Sequence, residues 1–90
     1  MTLIEQLREK ISTDQFELSK HAVDQSITRR IGMQELREAV TKGEVIEDYP
    51  DDKYGPSCLV SGETSAGRPL HVQCSYPSRT PVRIVTLYEP

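Results

Sequence analysis

The chain has ninety residues, 36% of them hydrophobic, and 11 basic against 14 acidic side chains give a net charge of -3. That size makes one domain with a thin core, which helices laid on one face of a sheet can complete. The acidic balance weighs against a generic nucleic-acid coat, which needs a basic footprint, although a few arginines can still hold phosphate locally.

Met1 to Glu5 contains no basic segment followed by an apolar run, so no signal peptide is expected. No stretch approaches the ~20 apolar residues of a membrane span. With no signal, two cysteines read as reduced thiols of a cytoplasmic protein.

All six prolines lie from Pro50 onward, so nothing interrupts helices in the first half. Thr2-Leu3-Ile4-Glu5 reads as a capping box. The stripe Leu3, Ile4, Leu7 and Ile11 then predicts a helix that ends at Ser12-Thr13-Asp14. Phe16 and Leu18 alternate in a short linker that plugs the core. Ser19 can cap a second helix from Lys20, with Val23 and Ile27 inward and a stop near Arg30-Ile31-Gly32. A third helix starts near Gln34, buries Leu36, Ala39 and Val40, and stops at Gly43 after Lys42.

After Gly43 the period changes to that of strands. Val45 to Tyr49, Ser57 to Glu63, Pro69 to Tyr76 and Val82 to Tyr88 read as four strands, separated by turn-forming segments. A hairpin turning about Ala66 pairs Cys58 with Cys74, Val60 with Val72 and Gly62 with Leu70 on an apolar face. Ser61 then opposes His71, and Leu59 opposes Gln73, on a mixed face. In the last hairpin, pairing Val72 with Leu87 puts Val85 and Leu87 in the core and Thr86 and Tyr88 beside His71. A slip of one residue does the reverse, and the first register is preferred because it keeps polar groups on the polar face. The expected fold is α+β: two to three N-terminal helices (residues 1–43) on one face of a four-stranded antiparallel sheet (residues 44–90), in one domain.

Among candidate functional residues, His21 stands in the predicted first turn of the second helix. It can act as a general base or accept a hydrogen bond; the more ordinary role for a lone histidine there is to fix the helix start against a loop. Arg29 lies about 12 Å along that helix and about 80° around it. One long guanidinium could therefore share a ligand with His21. Arg29 and Arg30 can equally serve to offset the dipole at the helix end. His71 and Cys74, three apart on a strand, face opposite sides and cannot share a metal. With no closely spaced ligand pairs elsewhere, no metal is expected. Glu44, Glu47, Asp48, Asp51 and Asp52 form either a solvated edge or a docking edge for a basic partner. No phosphate loop, nucleophile elbow or dinucleotide fingerprint is present, and no cofactor is expected.

Phe16-Glu17-Leu18-Ser19-Lys20-His21-Ala22, Arg29-Arg30-Ile31, Glu35 to Gly43, Ile46 to Tyr49, Tyr54-Gly55, Pro69 to Val72 and Ile84 to Tyr88 resemble the DUF4258 family. That family is similar to the RelE and BrnT toxins, which are helix-helix-sheet ribonucleases that work without metal. The resemblance implies a RelE-like fold and metal-independent cleavage of RNA. It also implies a small antitoxin partner of the zinc-finger, helix-turn-helix kind. On this reading His21, Arg29, Thr86 and Tyr88 are catalytic, while Lys20, Arg30, His71 and Arg83 bind phosphate or RNA. Glu47, Asp48, Asp51 and Asp52 form the partner edge. The alternatives are a non-catalytic protein-interaction module and an anion-binding regulatory domain.

Overall fold

The structure, a computed structural model, describes all ninety residues. Helix α1 (Leu3–Ser12) begins at the capping box. The Thr2 hydroxyl accepts the Glu5 N–H at 3.3 Å, and the Glu5 carboxylate accepts the Thr2 N–H at 3.2 Å. Helix α2 (Lys20–Thr28) is capped by Ser19, and α3 (Met33–Lys42) starts after Gly32, whose N–H donates to Glu35. Strands β2 (Glu44–Tyr49), β3 (Ser57–Glu63), β4 (Pro69–Ser75) and β5 (Val82–Tyr88) follow.

Helices α1 and α2 end alike. At each C-terminus one residue turns left-handed, Asp14 at φ 60° and Arg30 at φ 53°. That residue and the next donate back to carbonyls of the last turn: Asp14 to Ile11 and Gln15 to Lys10, then Arg30 to Ile27 and Ile31 to Ser26. This is a Schellman closure without the usual glycine. Ile31, released from the helix, drops into the core.

The sheet differs from expectation. It has five strands in the order β1-β5-β4-β3-β2, and the added strand β1 is Phe16–Leu18, which runs parallel to β5. Three alternating residues are too few to separate a strand from a linker by period. The tertiary pairing decides it: Val82 N–H donates to Gln15 and Ser19 N–H donates to Ile84, at 3.0 and 2.9 Å. The first forty-three residues are therefore not purely helical, and the sheet is mixed rather than antiparallel.

The β3–β4 hairpin has the predicted register throughout, from Ser57 opposite Ser75 to Glu63 opposite Pro69. The β4–β5 hairpin follows the preferred register for His71–Tyr88, Val72–Leu87 and Gln73–Thr86, then a bulge brings Ile84 opposite Cys74. The bulge puts Ile84 and Val82 in the core and leaves Val85, expected inside, only half-buried.

The core lies between the helices and one sheet face. Leu7 and Ile11 of α1 and Leu36, Ala39 and Val40 of α3 meet Val60, Val72, Ile84 and Leu87. α2 departs from expectation, because it buries Ala22 while Val23 and Ile27 are 40% and 71% exposed. It packs against β5 and the short β1, where a small side chain permits close approach. Gly43 stops α3, but not through a left-handed turn, since its φ is -89°. Gly43 and Gly62 instead make room where α3 crosses β3. A Cβ on Gly62 would stand 1.9 Å from the Ala39 carbonyl oxygen.

Candidate functional site

On the sheet face opposite the core, near the start of β3 and β5, lies a concavity of about 610 Å³. Its floor is the facing pair Ser57 and Ser75. The Ser57 hydroxyl accepts from Gln73 at 3.2 Å, and the Ser75 hydroxyl accepts the Arg83 N–H at 2.8 Å. Three walls rise around it: the first turn of α2 with His21, the β2–β3 loop with Asp52 and Tyr54, and the β4–β5 loop with Ser78 and Arg79.

Each wall is held by specific bonds. Ser19 accepts the Ala22 N–H at 3.1 Å as helix cap and donates its hydroxyl to the Val85 carbonyl at 2.8 Å. One side chain thus fixes the start of α2 to the bulge of β5, and His21 follows two residues later. The β2–β3 loop closes through Gly55 N–H to Asp52, and it is tied to the opposite wall by Tyr76 N–H to Pro56 at 3.1 Å. Gly55, at φ +108°, occupies a conformation that favours glycine. The Tyr76 hydroxyl donates to Asp48, and that bond, with burial, pushes the phenol up to about 12. Tyr76 is therefore a fixed donor near neutral pH and cannot serve as a base.

Positive charge enters from Arg79 and Arg83. Both approach the Glu17 carboxylate loosely, at 3.9 and 3.8 Å, and all three side chains are about half exposed. Such pairs contribute little and leave guanidinium donors free for a ligand. Asp52 brings one carboxylate to the opposite wall. The arrangement can hold a phosphate on the arginine side while a histidine stands within the same cavity.

The two thiols take no part. Cys58 and Cys74 are free and buried, and desolvation pushes Cys58 up to about 11 and Cys74 higher still. Neither is a thiolate nucleophile at neutral pH. His71 and Cys74 face opposite sides of β4, and no group of three or more His, Cys, Asp or Glu side chains is placed to hold a metal ion.

Of the residues singled out from sequence, the concavity brings together His21, Arg83 and Asp52. Arg29 and Arg30 do not join them. The Arg29 Nε donates to Gln25 at 2.6 Å on its own helix, and Arg30 forms the left-handed closure. Their carbonyls are held by the Arg68 guanidinium at 2.7 and 2.9 Å, which also pairs with Glu35 and Glu89. His71 and Tyr88 lie further along the same sheet face as an edge-to-face pair, 5.3 Å between centroids. Thr86 stands opposite Gln73, between that pair and the cavity, and Lys20 is exposed at the start of α2. On the acidic edge, Glu47 accepts from Tyr49 and Asp48 from Tyr76, while Asp51 is exposed in the turn.

Arg79, Tyr54 and the paired serines also line the cavity and are not singled out by sequence pattern. Arg79 and Arg83 flank the end of the Pro77–Pro81 loop, so their shared side was the available signal. The serines needed only the register already derived, since Ser57 opposite Ser75 follows from Cys58 opposite Cys74.

No curated protein and no solved structure matches the chain. A family model described as a domain of unknown function, DUF4258, matches residues 18–89, from the end of β1 to the residue after β5, and the chain belongs to that family.

Proposed function

We infer that this concavity binds a phosphodiester of single-stranded RNA and cleaves it without a metal. The observation that carries the reading is that His21, Arg79 and Arg83, from three different elements, line one open cavity. Guanidinium groups hold phosphate oxygens and stabilise the charge that develops on them. An imidazole beside them can take the proton of the ribose 2′-hydroxyl. The 2′-oxygen then bonds to phosphorus, and the bond from phosphorus to the 5′-oxygen breaks. The leaving oxygen takes a proton from solvent, which reaches the open cavity. The products are a 2′,3′-cyclic phosphate and a 5′-hydroxyl end, with no redox change and no cofactor.

The distant similarity of the DUF4258 family to RelE and BrnT toxins supports the same reading, and the setting it implies is a cytoplasmic toxin with a small antitoxin partner. His21 and Arg83 thus keep the roles expected from sequence, Arg79 takes the place of Arg29 and Arg30 at the phosphate, and Thr86, Tyr88 and His71 touch the rest of the strand.

Purified protein should cut single-stranded RNA in the presence of EDTA, and His21→Ala should lower the rate at least tenfold. Equal rates for mutant and parent would remove His21 from the mechanism. Binding of RNA by the parent with no cleavage at all would make the domain an anion-binding module instead.

A further inference from the structure

Tyr54 is the most exposed large side chain with hydrophobic character in the protein, at 84%. It is not a stray surface aromatic, because it forms part of the cavity wall facing the arginines. Its backbone is held. Tyr54 is the third residue of a turn closed by Gly55 N–H to the Asp52 carbonyl at 2.9 Å, and the loop is anchored by Tyr76 to Pro56. The only group stacked over the ring is Lys53, with Nζ 5.0 Å from the centroid. The protein therefore presents an aromatic side chain, on a loop whose backbone is hydrogen-bonded in place, at the rim of a pocket lined by two arginines, and leaves most of it exposed.

A bare phosphate would use the arginines and ignore this ring. A ligand with a phosphate and an aromatic ring would use both. We propose that Tyr54 is the base-stacking side of the cavity, so that the unit recognised is a nucleotide of a single strand, with its phosphate on Arg79 and Arg83 and its base on Tyr54. A duplex is excluded by the same geometry, since its bases are stacked on each other and offer no free face to a ring on a loop. Stacking is tolerant of sequence because every base has a π-face, so Tyr54 selects single-strandedness rather than a particular base. Lys53, over the same ring, adds a cation where the strand would leave the cavity.

This inference rests on the nucleic-acid reading of the cavity but not on cleavage, so its test uses an uncleavable strand. The affinity of the full chain is measured for a short single-stranded DNA of mixed sequence and for the same backbone with abasic sites. The parent should bind the base-bearing strand more tightly. Tyr54→Ala should weaken that binding roughly 5- to 100-fold and leave the abasic strand unchanged. Tyr54→Trp should keep it, because a larger ring still stacks. Because Tyr54 is exposed, these variants should keep the fold, and an unchanged melting temperature checks that. Equal binding of both strands, with no effect of Tyr54→Ala on either, would overturn the stacking role while leaving phosphate binding in place. An equal loss on both strands would overturn it too, since the ring would then be supporting the loop. Failure of the parent to bind either strand would overturn both this proposal and the nucleic-acid reading.

Discussion

Two pairs of arginines in this chain look interchangeable in sequence and have different surroundings in the fold. Arg29 and Arg30 close α2, where Arg29 bonds Gln25, Arg30 takes the left-handed position, and both carbonyls are held by Arg68. Arg79 and Arg83 flank the start of β5, where the nearest carboxylate stands at 3.8 Å or more and a cavity opens beside them. In an acidic chain the availability of an arginine for a ligand depends on what already satisfies its neighbourhood. A cation at a helix C-terminus meets unsatisfied carbonyls only if nothing else reaches them. Here Arg68 reaches them from 39 residues away.

The two pairs should differ most at the ligand. Changing both Arg79 and Arg83 to alanine should weaken binding of a single-stranded oligonucleotide by roughly 10- to 100-fold at low salt. The slope of log affinity against log salt should fall by about 0.7 for each phosphate that is no longer neutralised. Arg29→Ala should change affinity less than about twofold, because its guanidinium is engaged on its own helix. Fluorescence anisotropy at two salt concentrations separates the pairs, and equal losses would erase the distinction.

A smaller effect falls on stability. Arg68→Ala removes the bonds that hold the α2 terminus, the start of α3 and Glu89 together. It should lower the melting temperature by roughly 5–10 °C. An unchanged midpoint by circular dichroism would show that solvent replaces those bonds without loss. The smallest effect has the opposite sign. Arg30→Gly should raise the melting temperature by a few degrees, because glycine adopts the left-handed conformation without the Cβ penalty and the Arg68 bond to the carbonyl survives. A fall instead would reveal a stabilising role for the Arg30 side chain.

Much of the fold was legible because its signals are local. The capping box at Thr2, the Ser19 cap and the pairing of Cys58 with Cys74 each depend on a few adjacent residues or on a single turn. The candidate site was legible only in part. His21 and Arg83 could be named, but the partner suggested for His21 was the arginine at the end of its own helix, because helical spacing is a distance a sequence displays directly and the approach of a distant loop is not. Arg79 is 58 positions from His21 by number and joins it only through the β4–β5 loop. Tyr54 read as part of a turn, and nothing in its neighbours showed that the turn faces a cavity.

The sequence by itself determined the helices' order before the long strands, the register of the β3–β4 hairpin and the sorting of polar from apolar faces in those two strands. Capping, period and alternation are properties of contiguous residues and need no distant partner. Tertiary structure alone decided that Phe16–Leu18 is a parallel edge strand and that α2 buries Ala22 rather than Val23 and Ile27. It also decided that a bulge turns Val85 out of the core and that His21 lines one cavity with Arg79, Arg83 and Tyr54. Each of these depends on which surface arrives opposite, and a short amphipathic segment or a lone arginine carries no local record of that.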